Sequence, residues 1–160
     1  MSNSKKYWLM KTEPDAFAIE DLAKRPGKKE HWDGVRNYQA RNYMRDQMQK
    51  GDEVFFYHSS CTPAGIVGIT TIDKSGYNDP SALDPHSKYH DPKATPQKNP
   101  WVMVDVKLKV KFKSMITLES LRKVPGLENM VLLKRGSRLS IQPVSAEEFA
   151  IILKLAEKEG

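Results

Sequence analysis

Residues suited to holding a nucleobase are concentrated between His31 and Ser60. A base bound by a protein is stacked against flat side chains and hydrogen-bonded along its edge, which requires aromatic rings, guanidinium groups and amides. The segment has all three kinds of group: the aromatic residues Trp32, Tyr38, Tyr43, Phe55, Phe56 and Tyr57, the arginines Arg36, Arg41 and Arg45, and the amides Asn37, Gln39 and Asn42. Its composition therefore predicts a base-binding site.

Trp32 and Trp101 are the aromatic residues that we expect to stack on the base, because both adjoin irregular segments where a side chain can face a cavity. Burial in the core is the alternative for each tryptophan, and it is the expected role of Trp8 inside a predicted strand. The side chains expected to contact the edge of the base are Asn37, Tyr38, Gln39, His58 and Ser59. Asn37 is also well placed to cap a helix, and His58 to be a structural histidine.

Arginine and lysine side chains near this segment are candidates for phosphate contacts, which position a nucleic acid without reading its sequence. The candidates are Arg36, Arg41, Arg45, Lys134 and Arg135. Lys107, Lys109, Lys111 and Lys113 alternate along a predicted strand, where a solvated strand face is the simpler interpretation. The net charge of +6 favours a polyanionic partner, although solubility alone accounts for a charge of this size.

Catalytic and metal-binding patterns are weak. The sequence has no GxSxG, P-loop or Rossmann glycine motif. A threonine nucleophile assisted by a lysine and a carboxylate is workable chemistry, so Lys11-Thr12-Glu13 keeps a hydrolase open as an alternative, although strand neighbours point to opposite faces. His58, Cys61, His86 and His90 have ligand-like spacings but match no zinc-finger order. We predict no catalytic residue, no metal and no cofactor.

The periodicity of the chain predicts the elements that position these residues. Strands are expected over Tyr7–Lys11, Glu53–His58, Gly65–Asp73, Trp101–Lys113 and Leu139–Pro143, and helices over Ile19–Lys24, Tyr38–Gln49 and Thr117–Lys123. Ser145 and Glu148 form a capping box that opens a last helix, with Val144 and Phe149 as its hydrophobic staple. Ala18 cannot cap the first helix, so we expect its start to fray. Ser75–Pro100, with five prolines, is expected to be a long irregular loop.

These elements predict one α+β domain over residues 1–160, with a curved mixed or antiparallel sheet of about five to six strands. No apolar stretch approaches the length of a membrane helix. The first residues have two lysines but no apolar run after them, which predicts no signal peptide. The single cysteine, Cys61, excludes an internal disulfide, and we expect a cytoplasmic protein.

Three segments, GVRNYQARNYMR, GDEVFFYHS and RLSIQPV, resemble the EVE domain, and the resemblance extends from about Tyr7 to about Leu155. It implies a PUA-like pseudo-barrel, related to the YTH domains that hold methylated adenine. It also implies that the KTEP stretch and the RLSIQ block lie at the ligand cavity. The site residues that follow from it are Lys11, Thr12, Glu13, Arg138, Leu139, Ser140 and Gln142. The related ASCH family looks like amidohydrolases with a Lys, a Thr and a Glu, which supports the hydrolase alternative.

The sequence thus favours a non-enzymatic reader of a modified base, such as a methylated or hydroxymethylated cytosine or a methylated adenine, in DNA or RNA. A nucleoside hydrolase and a basic protein-interaction module are the alternatives. We expect a monomer without a membrane partner. No motif distinguishes DNA from RNA, because none is known to contact the 2′-hydroxyl.

Overall fold

A mixed six-stranded sheet organises the chain in the computed structural model, which describes residues 5–134 and 139–159. The strand order is β2-β5-β4-β3-β1-β6, and every neighbouring pair is antiparallel except β1 and β3. The strands are β1 (Tyr7–Thr12), β2 (Lys29–Trp32), β3 (Glu53–His58), β4 (Gly65–Asn78), β5 (Val102–Thr117) and β6 (Ile141–Val144). The sheet confirms the predicted α+β class, and within the described residues it is open, with edges at β2 and β6.

Four helices flank the sheet, and their ends follow the local sequence. They are α1 (Ile19–Ala23), α2 (Tyr38–Asn42), α3 (Leu118–Leu121) and α4 (Ala146–Glu159). Asn37 caps α2 as predicted, since its Oδ1 accepts the Ala40 N–H at 3.0 Å. The predicted capping box of α4 is also present: the Glu148 N–H donates to Ser145 Oγ and the Ser145 N–H to Glu148 Oε1. No helix in the described part of the chain has the length and apolar character needed to cross a bilayer.

Both faces of the sheet are covered around β3, and all six residues of this strand are buried. Val54 and Phe56 join one core cluster with α1 and α2, whereas Phe55 and Tyr57 join a second cluster with α3 and α4. The predicted core position of Trp8 is confirmed, and its Nε1 donates to Asp52 Oδ2 at 3.0 Å.

Several of the sequence-based element assignments were wrong. β2 was missed entirely, and the second helix gives way after Asn42 to a π turn over Tyr43–Gln47. β4 continues to Asn78, so the irregular loop is shorter than Ser75–Pro100. The register between β4 and β5 shifts, so the side chains of β5 do not alternate strictly, and Val110 is exposed.

Candidate functional site

A cleft of about 580 Å³ opens beside the end of β1 and the edge strand β2. Its walls come from four parts of the chain: the end of β1, the crossover that joins β1 to β3 and contains β2, the loop at Lys88 and Tyr89, and Ser140 just before β6. The lining residues are Lys11, Thr12, Glu13, Ala16, Phe17, Arg25, Glu30, His31, Trp32, Asp33, Gly34, Val35, Arg36, Lys88, Tyr89 and Ser140.

Trp32 and Phe17 give the cleft an aromatic wall. The buried ring of Phe56 supports both, with an edge-to-face contact to Trp32 (centroids 5.6 Å apart) and a tilted contact to Phe17 (6.3 Å). Both side chains are only partly buried, so each has one part packed on the core and another part at the cleft. Such a wall suits a flat ligand that stacks.

Lys11 and Asp33 are half-buried ionisable groups in the cleft. Burial lowers the pKa of Lys11, whose Nζ lies 5.8 Å from the centre of the Tyr57 ring. Burial also raises the pKa of Asp33, and the negative charge of Asp79 adds to this effect. Desolvated groups of opposite charge can serve as a donor and an acceptor for a polar ligand.

Glu30 is already engaged with its neighbours. Its Oε2 accepts Arg25 Nε at 2.6 Å, and its Oε1 accepts the His31 N–H at 3.0 Å. Partial burial raises the pKa of Glu30, but these hydrogen bonds outweigh it and hold the pKa below the usual value. Asp33 is therefore the more available carboxylate of the two.

Arg36 fastens the loop that carries Tyr89 to the rest of the cleft. Its Nε and Nη2 donate to the Tyr89 carbonyl oxygen at 3.0 and 2.8 Å. Nη1 donates to the Val35 carbonyl and to Asp79 Oδ2, and Nη2 also donates to Ser81 Oγ. All five N–H donors are thus directed at protein oxygens.

Gly34 lets Tyr89 approach the cleft wall. It has φ +78°, and a Cβ there would lie 2.6 Å from ring atoms of Tyr89. Its N–H donates to Asp79 Oδ2 at 2.8 Å, which joins this turn to the same loop. A glycine is required at this position both for backbone conformation and for space.

Five residues of the predicted base pocket do line the cleft: Lys11, Thr12, Glu13, Trp32 and Ser140. Thr12 Oγ1 donates to the Phe17 carbonyl oxygen at 3.1 Å, and the Ser140 carbonyl accepts the Lys11 N–H. Arg36, predicted to bind phosphate, also lines the cleft, and its five N–H donors are directed at protein oxygens.

Trp101, predicted to stack on the base, is not among the residues that line the cleft. It is 5% exposed, its Nε1 donates to Asp91 Oδ2 at 2.7 Å, and Tyr38 stacks on it. Asn37 and Gln39 accompany Tyr38 outside the cleft, where Asn37 has its capping role.

His58 and Ser59 likewise lie outside the lining. His58 is buried, and its Nε2 accepts the Ile19 N–H at 3.2 Å, so the histidine satisfies the helix start that Ala18 cannot cap. Burial lowers the pKa of His58 despite the nearby carboxylates of Glu20 and Asp21. The first turn of α1 therefore has a partner that the sequence did not reveal.

The remaining predicted residues divide into three groups. Gln142 is buried and donates to the Leu139 carbonyl oxygen, and neither residue lines the cleft. Arg45 forms an exposed bidentate pair with Asp46, while Arg41 donates to Asn42 Oδ1 and the Pro100 carbonyl. Lys134 is exposed, and Arg135 and Arg138 lie outside the described residues.

Sequence reasoning missed most of the cleft, since only six of its sixteen lining residues were predicted to bind a ligand. The missed residues include Phe17, Arg25, Glu30, His31, Asp33, Lys88 and Tyr89. The Asp33-Gly34 dipeptide is a turn signal that marks one of them, whereas Tyr89 reaches the cleft only through its loop. Within residues 5–134 and 139–159, no group of three or more His, Cys, Asp or Glu side chains is arranged to hold a metal ion.

The family model of the EVE domain matches residues 6–155. The chain belongs to the EVE family. Human thymocyte nuclear protein 1 is 42% identical over 99% of this chain and 77% of that protein. A solved structure of a Pseudomonas syringae protein is 55% identical, with a TM-score of 0.89 over 94% of this chain and 99% of the other.

A structure of human thymocyte nuclear protein 1 in complex with 5-methylcytosine-containing DNA matches this EVE chain with a TM-score of 0.90. The identity is 42%, and the match covers 98% of this chain and all of that one (100%). A Zymomonas mobilis ASCH protein matches with a TM-score of 0.53 at 10% identity, which shows a shared fold only.

Proposed function

We propose that this chain is a non-catalytic reader of 5-methylcytosine in DNA, with the modified base inserted into the cleft. The observation that carries the proposal is the combination of the Trp32 wall with two half-buried groups of opposite charge, Lys11 and Asp33, in one cleft. The cleft volume of about 580 Å³ is in the range of small-molecule sites. The complex of human thymocyte nuclear protein 1 with methylated DNA supports the same ligand class.

The polar groups match the edge of cytosine. Cytosine has a donor at N4 and acceptors at N3 and O2. The Asp33 carboxylate can accept from N4, and the Lys11 ammonium can donate to an acceptor atom of the base. Thymine has the same methyl group but an acceptor oxygen at position 4, which would face the acceptor oxygens of Asp33 without a hydrogen bond.

The methyl group adds only a small amount of apolar area. One buried methyl is worth about 0.8 kcal/mol, or roughly fourfold in affinity. The aromatic wall of Trp32 and Phe17 supplies apolar contact, but a larger preference requires a close fit of shape around the methyl group.

The experiment is equilibrium binding to short oligonucleotides that differ at one central base: cytosine, 5-methylcytosine, 5-hydroxymethylcytosine, adenine and N6-methyladenine. DNA and RNA versions are measured at two salt concentrations. We expect tightest binding to 5-methylcytosine in DNA, with a preference that persists at high salt. Equal, salt-sensitive binding to every probe would instead indicate that only the basic surface binds.

Trp32→Ala tests the aromatic wall. Loss of a stacked aromatic costs about 1–3 kcal/mol per base, so we expect the methylated probe to bind about 5- to 160-fold more weakly. Phe112→Ala is the matched control, because it truncates another partly buried aromatic residue on the opposite face of the sheet. Retained preference in folded Trp32→Ala would contradict this site.

Asp33→Asn tests how the base is identified. The wild-type protein is expected to bind 5-methylcytosine more tightly than thymine, since the two bases differ at the atom that Asp33 meets. An amide can donate to the thymine O4, so the variant should narrow this difference. If folded Asp33→Asn kept the wild-type ratio of affinities for 5-methylcytosine and thymine, Asp33 would be excluded as the group that distinguishes the two bases.

One observation favours the hydrolase alternative: Lys11, Thr12 and Glu13 all line the cleft, and burial lowers the pKa of Lys11. Against it, the Thr12 hydroxyl donates to a main-chain carbonyl oxygen and not to a side chain that could act as a general base. Release of product from acylated cytidine, abolished by Thr12→Ala, would establish this second function. We expect no turnover.

A further inference from the structure

A second aromatic surface lies outside the cleft. The Tyr38 side chain is 57% exposed, and its ring stacks on Trp101 with centroids 4.7 Å apart and planes inclined by 28°. Trp101 is fixed from below: its Nε1 donates to Asp91, and its main-chain N–H donates to Asn99 Oδ1. The pair is therefore a firmly supported platform with an accessible ring.

The surroundings of this platform are polar and positively charged. A depression of about 370 Å³ separates Tyr38 from the loop, and the exposed side chains of Lys93 and Lys98 line it. The Arg41 guanidinium carbon lies over the Tyr38 ring, 5.0 Å from its centre, so a base that stacks on Tyr38 would also contact Arg41. Asp91 is the acidic residue of the lining, and its carboxylate already accepts hydrogen bonds from Trp101 and the Lys93 N–H.

Arg36 connects the platform to the cleft. Its guanidinium carbon lies 5.2 Å from the centre of the Trp101 ring and 5.9 Å from that of Tyr89, which lines the cleft. The platform and the cleft therefore share Arg36 as a neighbour.

We propose that the Tyr38–Trp101 platform binds an unpaired nucleotide that flanks the modified base. Its base would stack on Tyr38, and its phosphate would meet Lys93 and Lys98. Stacking on an aromatic side chain tolerates any base, since every base has a π-face. The inference rests on the proposed function of the cleft, and it adds a sequence-independent contact that strengthens binding without selecting the modification.

The test combines protein variants with abasic DNA. A single-stranded nine-nucleotide DNA with central 5-methylcytosine is compared with the same strand in which every flanking base is removed and the phosphates remain. For wild-type protein we expect removal of the bases to weaken binding about 5- to 160-fold. Tyr38→Ala should lose a similar factor on the intact strand and nothing further on the abasic strand, whereas Tyr38→Phe should stay within about threefold of wild type.

Val110→Ala is the control, because Val110 is the other exposed large hydrophobic residue of the described chain. The platform is overturned if Tyr38→Ala binds the intact strand as tightly as wild type does. It is also overturned if Tyr38→Ala and removal of the flanking bases weaken binding independently, so that their fold-changes multiply. The wild-type comparison of intact and abasic strands gives its own answer: equal binding also overturns the platform. Failure of the cleft has a different signature, since wild type would then bind methylated and unmodified strands equally while Tyr38 still mattered.

Discussion

Replacement of Arg36 by methionine should destabilise the whole domain through Asp79. The Asp79 side chain is fully buried, and Arg36 is its cationic partner at 3.1 Å. Burial raises the pKa of Asp79, but hydrogen bonds from Ser81, the Gly34 N–H and Arg36 outweigh it and hold the pKa below the usual value. The aspartate is therefore charged at neutral pH, and Arg36→Met leaves that charge without a cation.

Removal of one partner from a buried ion pair costs about 3–5 kcal/mol. Three hydrogen bonds to Asp79 remain in Arg36→Met, from the Gly34 N–H, the Ser81 N–H and Ser81 Oγ, so we expect the lower part of this range. The loss is a large fraction of the roughly 5–15 kcal/mol that stabilises an ordinary domain. Urea unfolding at neutral pH measures it directly.

Asp79→Asn in the Arg36→Met background provides the decisive comparison. The neutral amide removes the isolated buried charge, so the double variant should be more stable than Arg36→Met alone, with a coupling energy of about 0.5–3 kcal/mol. Arg45→Met is the matched control: Arg45 pairs with the exposed Asp46, and the urea midpoint should not change.

The pH dependence of the free energy of unfolding tests the same prediction. A group with a lowered folded pKa stabilises the fold above its unfolded pKa, and that contribution disappears as the pH falls through the folded pKa. Arg36→Met removes one cause of the lowered pKa of Asp79, so its stability should decline from a higher pH than in wild type. The reasoning is refuted if Arg36→Met costs less than about 1 kcal/mol, or if Asp79→Asn destabilises it further.

Two further perturbations follow from the same structure. Gly34→Ala should lower the thermal midpoint more than Gly51→Ala, because both glycines have positive φ but only a Cβ at position 34 would collide with Tyr89; equal shifts would show that the collision is relieved without cost. Protonation of His58 removes the lone pair that accepts the Ile19 N–H. Because folding lowers the pKa of His58, its contribution to the free energy of unfolding is fully present above about pH 6.5 and is lost as the pH falls through the folded pKa. His58→Gln should flatten this decline in urea titrations, and an unchanged slope would assign it to other groups.

Elements with a strong periodic pattern were predictable from the sequence. β1, β3 and the first half of β5 carry apolar runs or clean alternation, and the capping box announced α4 at the correct residue. β2 has neither signal, since KEHW becomes a strand only by pairing with β5. Tertiary pairing of this kind overrides weak local preference.

The candidate site was less predictable because the same residue types serve structure and binding. Trp101 adjoins an irregular segment, as Trp32 does, but a carboxylate ten residues away captures its indole N–H. Arg36 was predicted to contact phosphate, but it donates hydrogen bonds to Asp79 and Tyr89, which lie more than 40 residues away in the sequence. Neither partner is detectable in a single sequence, because long-range contacts leave no local pattern.

The parallel pairing of β1 with β3 has a thermodynamic consequence for any ligand of the cleft. The cleft walls at Lys11, Trp32, Tyr89 and Ser140 come together only when the crossover is docked and the sheet is complete. Unfolded chains therefore have no partial site, and the ligand binds the native state alone. A ligand at one hundred times its Kd therefore raises the free energy of unfolding by about 2.7 kcal/mol. Thermal denaturation can consequently rank candidate modified nucleotides without a label on either molecule.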